Sequence, residues 1–195
     1  MARTLFVAIV AALGTAACGE VARTGRAPVV LVVNSLEASA GQTDEFGTFL
    51  QSDVQTAGSI TNDVGRATFT IIAKNPGSVT NTLAPTDLNT VVISRYRVRF
   101  FRADGRNTPG VDVPHGFDAG LTVTVTGEGS TTAGFDLVRH EMKLEPPISN
   151  LRFASGVAFI NTIAEITFYG RDLAGNDVSA SGTISVNFAD FADPE

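Results

Sequence analysis

What most limits the folds open to this chain is a repeated two-residue alternation of apolar and polar side chains, with no helical period after the first 17 residues. Arg66–Lys74 sets Ala67, Phe69, Ile71 and Ala73 on one side, and Leu121–Thr126 sets Leu121, Val123 and Val125 against threonines. Ala164–Tyr169 does the same with Ala164, Ile166 and Phe168, and Thr183–Phe188 with Ile184, Val186 and Phe188. Successive side chains of a strand point to opposite faces, so such runs bury one face and wet the other. Val29–Leu36 is a nearly continuous apolar strand, Val91–Arg102 is a long one, and Thr132–Val138 and Val157–Ile160 are shorter. Gly, Pro, Asn and Asp stand at most of the junctions, where turns need them. The pattern predicts an all-β chain folded as a β-sandwich of about seven to nine strands. Residues 41–60 are the least legible, and 48–55 reads as a hairpin strand or one short helix. Residues 138–144 read as an exposed strand that Pro146-Pro147 ends. Phe101-Arg102 breaks the alternation of its strand and suggests a bulge there.

Between two alternating strands stands Arg171-Asp-Leu-Ala-Gly-Asn-Asp-Val178. Gly175 and Asn176 suit a tight turn because both tolerate positive φ. With Phe168 and Tyr169 before it, this D-x-x-G-N turn resembles the last hairpin of bacterial immunoglobulin-like and fibronectin type III-like domains. The resemblance implies an immunoglobulin-like antiparallel β-sandwich, two antiparallel sheets packed together, and, by itself, no activity. The Cys–Trp–Cys signature of immunoglobulins is absent, since the chain has no Trp and one Cys. Core packing alone must then hold the sheets together.

That one cysteine, Cys18, ends a leader: Met1-Ala-Arg-Thr, the apolar run Leu5 to Leu13, then Gly14-Thr15-Ala16-Ala17. A positive start, a short apolar run and small residues at the cut are what an export signal needs, and the run is too short to span a bilayer. The residues before Cys18 resemble the lipobox of bacterial lipoproteins. The resemblance implies a signal peptide over 1–17, cleavage after Ala17, and diacylglycerol and an N-acyl chain on Cys18. Several acyl chains anchor a protein stably. Gly19 in place of Asp implies the outer membrane as the destination. Thr15 stands where that family usually has Leu, and Thr15 with Ala17 also suits an ordinary signal peptidase, which would leave a secreted soluble protein. A lone cysteine cannot form an internal disulfide, which accords with a lipidated position. Residues 18–27 read as a flexible tether, 28–191 as one domain, and 192–195 as a frayed acidic tail.

A net charge of −6 argues against nucleic acid and against electrostatic attachment to anionic lipid. No G-x-S-x-G, H-E-x-x-H or P-loop is present, and the two histidines, His115 and His140, lie in ordinary polar contexts. The sequence therefore names no catalytic residue, no metal ligand and no cofactor beyond the covalent lipid. Calcium at Asp172, Asn176 and Asp177 competes with plain turn chemistry, which accounts for all three residues.

The candidate partner-binding residues fall in two places. Arg95, Arg97 and Arg99 share one face of a strand at about 7 Å spacing, against Tyr96, Val98 and Phe100 on the other. Such a stripe either grips an anionic partner or pairs across strands, with Glu165 available to Arg97 or Arg99. His115 and Phe117 lie in the loop from Asn107 to Gly120, with Asp112 and Asp118. A loop of this composition is either a ligand site or a set of shaped turns with Phe117 plugging one end of the sandwich. The expectation is a non-enzymatic, lipid-anchored envelope protein that binds or scaffolds an envelope protein or glycan. Two alternatives are a carbohydrate- or small-ligand-binding module, with Tyr96, His115 and Phe117 as its pocket, and a secreted hydrolase with a dispersed site.

Overall fold

Alternation in the sequence becomes alternation in burial. In the strand Phe159–Asp172, Ala164, Ile166 and Phe168 are fully buried while Glu165, Thr167 and Tyr169 between them are partly exposed. The computed structural model describes residues 25–41, 43–153 and 158–191. Cys18, the leader and the tail 192–195 lie outside them. Ala27, assigned to the tether from sequence, is buried in the core.

The strands are β1 (Val29–Ser39), β2 (Phe49–Asp53), β3 (Asp63–Ala73), β4 (Gly77–Ser78), β5 (Asn81–Thr82), β6 (Val91–Phe101), β7 (Phe117–Val125), β8 (Thr131–Val138), β9 (Phe159–Asp172) and β10 (Asp177–Ala189), with a short helix α1 (His140–Lys143) after β8. They form a three-stranded sheet, β1-β3-β8, and a five-stranded sheet, β2-β10-β9-β6-β7, with β4-β5 a small hairpin apart. The two larger sheets make a β-sandwich. Its order is that of an immunoglobulin-like fold: β1, β3 and β8 stand as strands A, B and E, and β10, β9, β6 and β7 as G, F, C and C′. Among the described residues no helix is long and apolar enough to cross a membrane.

The sheets meet through aromatic rings. Phe69 of β3 and Phe168 of β9 pack edge to face with centroids 4.8 Å apart. Phe135 of β8 touches Phe168 at 5.4 Å and Tyr96 of β6 at 5.2 Å. The Tyr96 hydroxyl donates to the Asp136 carbonyl at 3.0 Å, which satisfies a polar group inside an apolar core. In immunoglobulins strands B and F carry the inter-sheet disulfide and strand C the buried Trp. Here those strands carry Phe69, Phe168 and Tyr96.

Two register breaks let long strands keep their apolar residues inside. In β6 the pairing with β9 shifts between Ile93 and Arg95, leaving Ser94 as the extra residue on that side, while on the other side Leu121 and Thr122 of β7 span the same step. Val91 and Ile93 are buried, and so are Tyr96, Val98 and Phe100, which sit at the opposite parity. A regular strand would turn one of these sets outward, and the bulge reconciles them. It falls at Ser94, not at Phe101-Arg102 as the broken alternation suggested. Gly170 on β9 lies opposite Ile93, and a Cβ there would stand 2.6 Å from the Val92 carbonyl oxygen. The break in β1 between Val33 and Ser35 does the same for Leu31 and Ala38.

Other expectations are corrected. Phe159, Ile160 and Ala164–Tyr169 do not fall in two strands, because β9 runs unbroken from Phe159, while Val157 lies outside the described residues. Thr162 faces the core without interrupting it because its hydroxyl donates to the Val186 carbonyl at 3.0 Å. Residues 48–55 contain β2, which pairs parallel with β10 and makes no hairpin, so the sandwich is not wholly antiparallel. The chain thus crosses from one sheet to the other between β1 and β2. Residues 138–144 hold α1, not an exposed strand. The Asn62 carboxamide oxygen accepts the His140 N–H at 2.8 Å, taking up an amide that a helix start leaves open.

Phe168→Ala should lower the free energy of unfolding by about 3–5 kcal/mol, because it removes the ring on which Phe69, Tyr96 and Phe135 converge. Chemical denaturation of the two proteins checks this; a loss below about 1 kcal/mol would mean the sheets are held elsewhere.

Candidate functional site

The bulge at Ser94 sends Arg95, Arg97 and Arg99 to the outer face of the five-stranded sheet, where all three are exposed. Arg95 lies opposite Gly120 of β7 and Tyr169 of β9, Arg97 opposite Asp118 and Thr167, and Arg99 opposite Glu165. Asp118 binds two of them: Arg95 Nη1 reaches Oδ1 at 2.7 Å, and Arg97 Nε reaches both carboxylate oxygens at 3.1 Å. Desolvation pushes the Asp118 carboxyl up, but the hydrogen bonds and charges of Arg97 and Arg95 outweigh it and hold the group below its ordinary range. The same hydrogen bonding raises Arg97. Arg99 meets Glu165 only at 4.0 Å, and its side chain is 70% exposed. The Arg95 guanidinium also lies 4.0 Å over the Tyr169 ring, a cation–π contact.

Cross-strand pairing therefore accounts for part of the stripe, and Asp118 is its main acceptor. The sequence placed Asp118 in a loop because the apolar run begins only at Leu121. In the structure β7 starts at Phe117, so Asp118 sits on a strand beside the arginines. A concavity of about 630 Å³ opens at the bulged end of this face, lined by Ser94, Arg95, Tyr169, Gly170, Arg171 and Ser179 among others. Arg171 is held there by Asp177 at 2.7 Å.

His115 and Phe117 do not join the arginines. Phe117 packs edge to face on Tyr96 at 6.1 Å, with the Arg139 guanidinium 3.9 Å over its ring. His115 is exposed and lies against Gly110, where an added Cβ would come within 2.6 Å of its Nε2. Tyr96 is 2% exposed, so Tyr96, His115 and Phe117 do not form an open pocket. The loop before β7 is built from its own polar groups. Asp104 accepts from Arg102 Nη2 at 2.6 Å and Arg106 Nη2 at 2.9 Å, and these hydrogen bonds hold its carboxyl far below the ordinary range. Asn107 accepts the Arg102 N–H at 2.6 Å, and Asp112 that of Thr108 at 3.2 Å. His140 is exposed too, with Nδ1 at 3.0 Å from Asn62 Oδ1 and Nε2 at 3.3 Å from Glu141.

At the last hairpin, Asp172 accepts from the Asn176 N–H at 2.7 Å and its side-chain amide at 2.8 Å, while Gly175 takes φ +81°. Asp172, Asn176 and Asp177 thus all serve the hairpin, since Asp177 pairs with Arg171.

One polar cluster was invisible in the sequence. Lys143 Nζ donates to Asp63 Oδ1 at 2.9 Å, with side chains 2% and 1% exposed. The Ser52 hydroxyl donates to Asp63 Oδ2 at 2.6 Å and the Gly41 N–H to Oδ1 at 3.0 Å. Burial pushes the Asp63 carboxyl above its ordinary value, against the opposing pull of Lys143, Ser52 and Gly41. Lysine and aspartate are ordinarily surface residues, so nothing in the local pattern marks this pair as interior.

Neither a protein-family model nor a curated protein matches this chain.

Arg97→Ala should lower stability only slightly, since both it and its partner are exposed to solvent. A larger loss by denaturation would mean that the stripe braces the sheet. Lys143→Met should cost at least about 3 kcal/mol at neutral pH, because it leaves a buried carboxylate without its counter-ion. Asp63 in that variant has a folded pKa raised further above its unfolded value. Its neutral form is compatible with burial, so the deficit should be smallest at low pH and grow as pH rises through the folded pKa. Unfolding midpoints of both proteins from acid to neutral pH test the sign; a constant difference contradicts it.

Proposed function

We propose that this chain is a lipid-anchored protein of the bacterial cell envelope, favouring the outer membrane, whose folded domain works by binding and not by catalysis. The observation that carries the binding role is the outer face of the five-stranded sheet. Arg95, Arg97 and Arg99 stand there in one lane beside Tyr169, and a concavity opens at its bulged end. Exposed guanidinium groups on a rigid strand suit a partner with carboxylates or other anionic groups, because the planar fork offers paired donors. The proposed partner is an envelope protein or glycan, engaged while the lipid on Cys18 confines the domain to the membrane surface.

Two observations favour this over the alternatives. Among the described residues neither histidine is hydrogen-bonded to a serine hydroxyl, and both are exposed, which lends no support to a dispersed hydrolase site. The Tyr169 ring is already covered by Arg95, and Tyr96 is interior, so neither offers the bare aromatic platform on which sugars stack. If a glycan is the partner, its acidic groups are the point of recognition.

Two measurements test the proposal. Cys18→Ser should move the protein from the membrane to the soluble fraction and remove the acyl mass; unchanged retention ends the anchor reading. Binding of the folded domain to isolated envelope material should fall at least about tenfold in Arg95→Glu/Arg97→Glu, as expected for losing roughly 1.4 kcal/mol or more of recognition. Equal binding by the variant would remove the arginine face from the proposal.

A further inference from the structure

Asp63 and Lys143 form an ion pair in which both side chains are almost wholly enclosed, 1% and 2% exposed. Nothing in the binding role uses them. Enclosure of an ion pair is unfavourable unless close contacts offset the lost hydration, and a neutral bonded state of the same two groups escapes that penalty. We propose that Asp63 and Lys143 are the two halves of a self-forming amide cross-link that ties the start of β3 to α1, 80 residues later in the chain.

The geometry provides what such a condensation needs. Nζ and Oδ1 are 2.9 Å apart, so the amine is already held against the carboxyl group. Fixing two reactants in contact replaces an encounter in solution with an intramolecular step. A proton passes from the ammonium to Oδ1, giving a neutral amine beside a neutral acid. Burial favours the neutral acid, and the raised pKa of Asp63 agrees with this. The Nζ lone pair then attacks Cγ, and a C–N bond forms. Oδ1 leaves as water with its own proton and one from the nitrogen. Oδ2 remains as the amide oxygen, and the Ser52 hydroxyl at 2.6 Å is placed to stabilise the negative charge it carries in between. The Gly41 N–H, 3.0 Å from Oδ1, polarises the leaving oxygen. Three ammonium hydrogens become one on the amide and two on water, and no oxidant or reductant is required. With a single cysteine the chain cannot form an internal disulfide, and this link would brace the fold independently of redox conditions.

The test is a tryptic peptide map of the full chain purified in the folded state and then denatured, which is independent of any group attached to the amino terminus. Lys and Arg positions place Asp63 in peptide 27–66 and Lys143 at the end of peptide 140–143. A cross-linked protein resists cleavage after Lys143 and yields one branched species, peptides 27–66 and 140–152 joined with the loss of one water. Lys143→Arg, which retains the charge but not the amine, should yield no branched species. Linear peptides 27–66 and 140–143 at full mass from the wild-type protein, with no branched species, would overturn the proposal.

Discussion

Phe168 is where the two sheets become one structure. Its ring receives Phe69 edge to face at 4.8 Å and Phe135 at 5.4 Å from the three-stranded sheet, with Tyr96 beside it on its own sheet. A sandwich without a disulfide must draw its cohesion from apolar area removed from water and from ring contacts, which add roughly 0.5–1.5 kcal/mol per pair beyond burial. Every other feature of the domain presupposes this contact. The arginine face can be polar because the opposite face of the same strands is anchored here.

The bulges at Ser94 and Asn34 are the second constraint. A strand with period two can satisfy one buried face only while its parity holds. β6 needs Val91 and Ile93 inside at one end and Tyr96, Val98 and Phe100 inside at the other, and it meets both needs by carrying Ser94 unpaired. Beyond it the two-residue period keeps Arg95, Arg97 and Arg99 in line on the outer face. The exposed stripe is thus a consequence of how the core is packed, and the concavity beside Ser94 lies where the ladder is interrupted.

Charge is used in two unlike ways. On the outer face Asp118 is shared by Arg95 and Arg97 in contact with solvent, where pairing contributes little to stability and leaves the guanidinium groups able to exchange partners. Between β3 and α1, Asp63 and Lys143 are enclosed, with Ser52 and Gly41 completing the carboxylate's contacts. There the loss of either partner leaves a group with no alternative in water. The outer arrangement is suited to recognition and the inner one to holding a helix against a strand.

Local pattern determined the strand character of this chain. Ala67, Phe69 and Ile71, or Ile184, Val186 and Phe188, can bury together only on an extended backbone, and the Asp172–Asn176 turn carries its own hydrogen bonds. The outward direction of Arg95, Arg97 and Arg99 was legible for the same reason. What depended on distant neighbours was not legible. Thr162 in a core strand needs the Val186 carbonyl, α1 needs Asn62, and β2 needs β10 alongside it. Asp118 found its arginines only once β7 was seen to start at Phe117, and Lys143 reached the interior only because Asp63, far away in sequence, was waiting there. Apolar alternation is a property of neighbouring residues and can be read directly. The partner of a polar group is a property of the folded chain, because hydrogen bonds and ion pairs join residues that the sequence keeps apart.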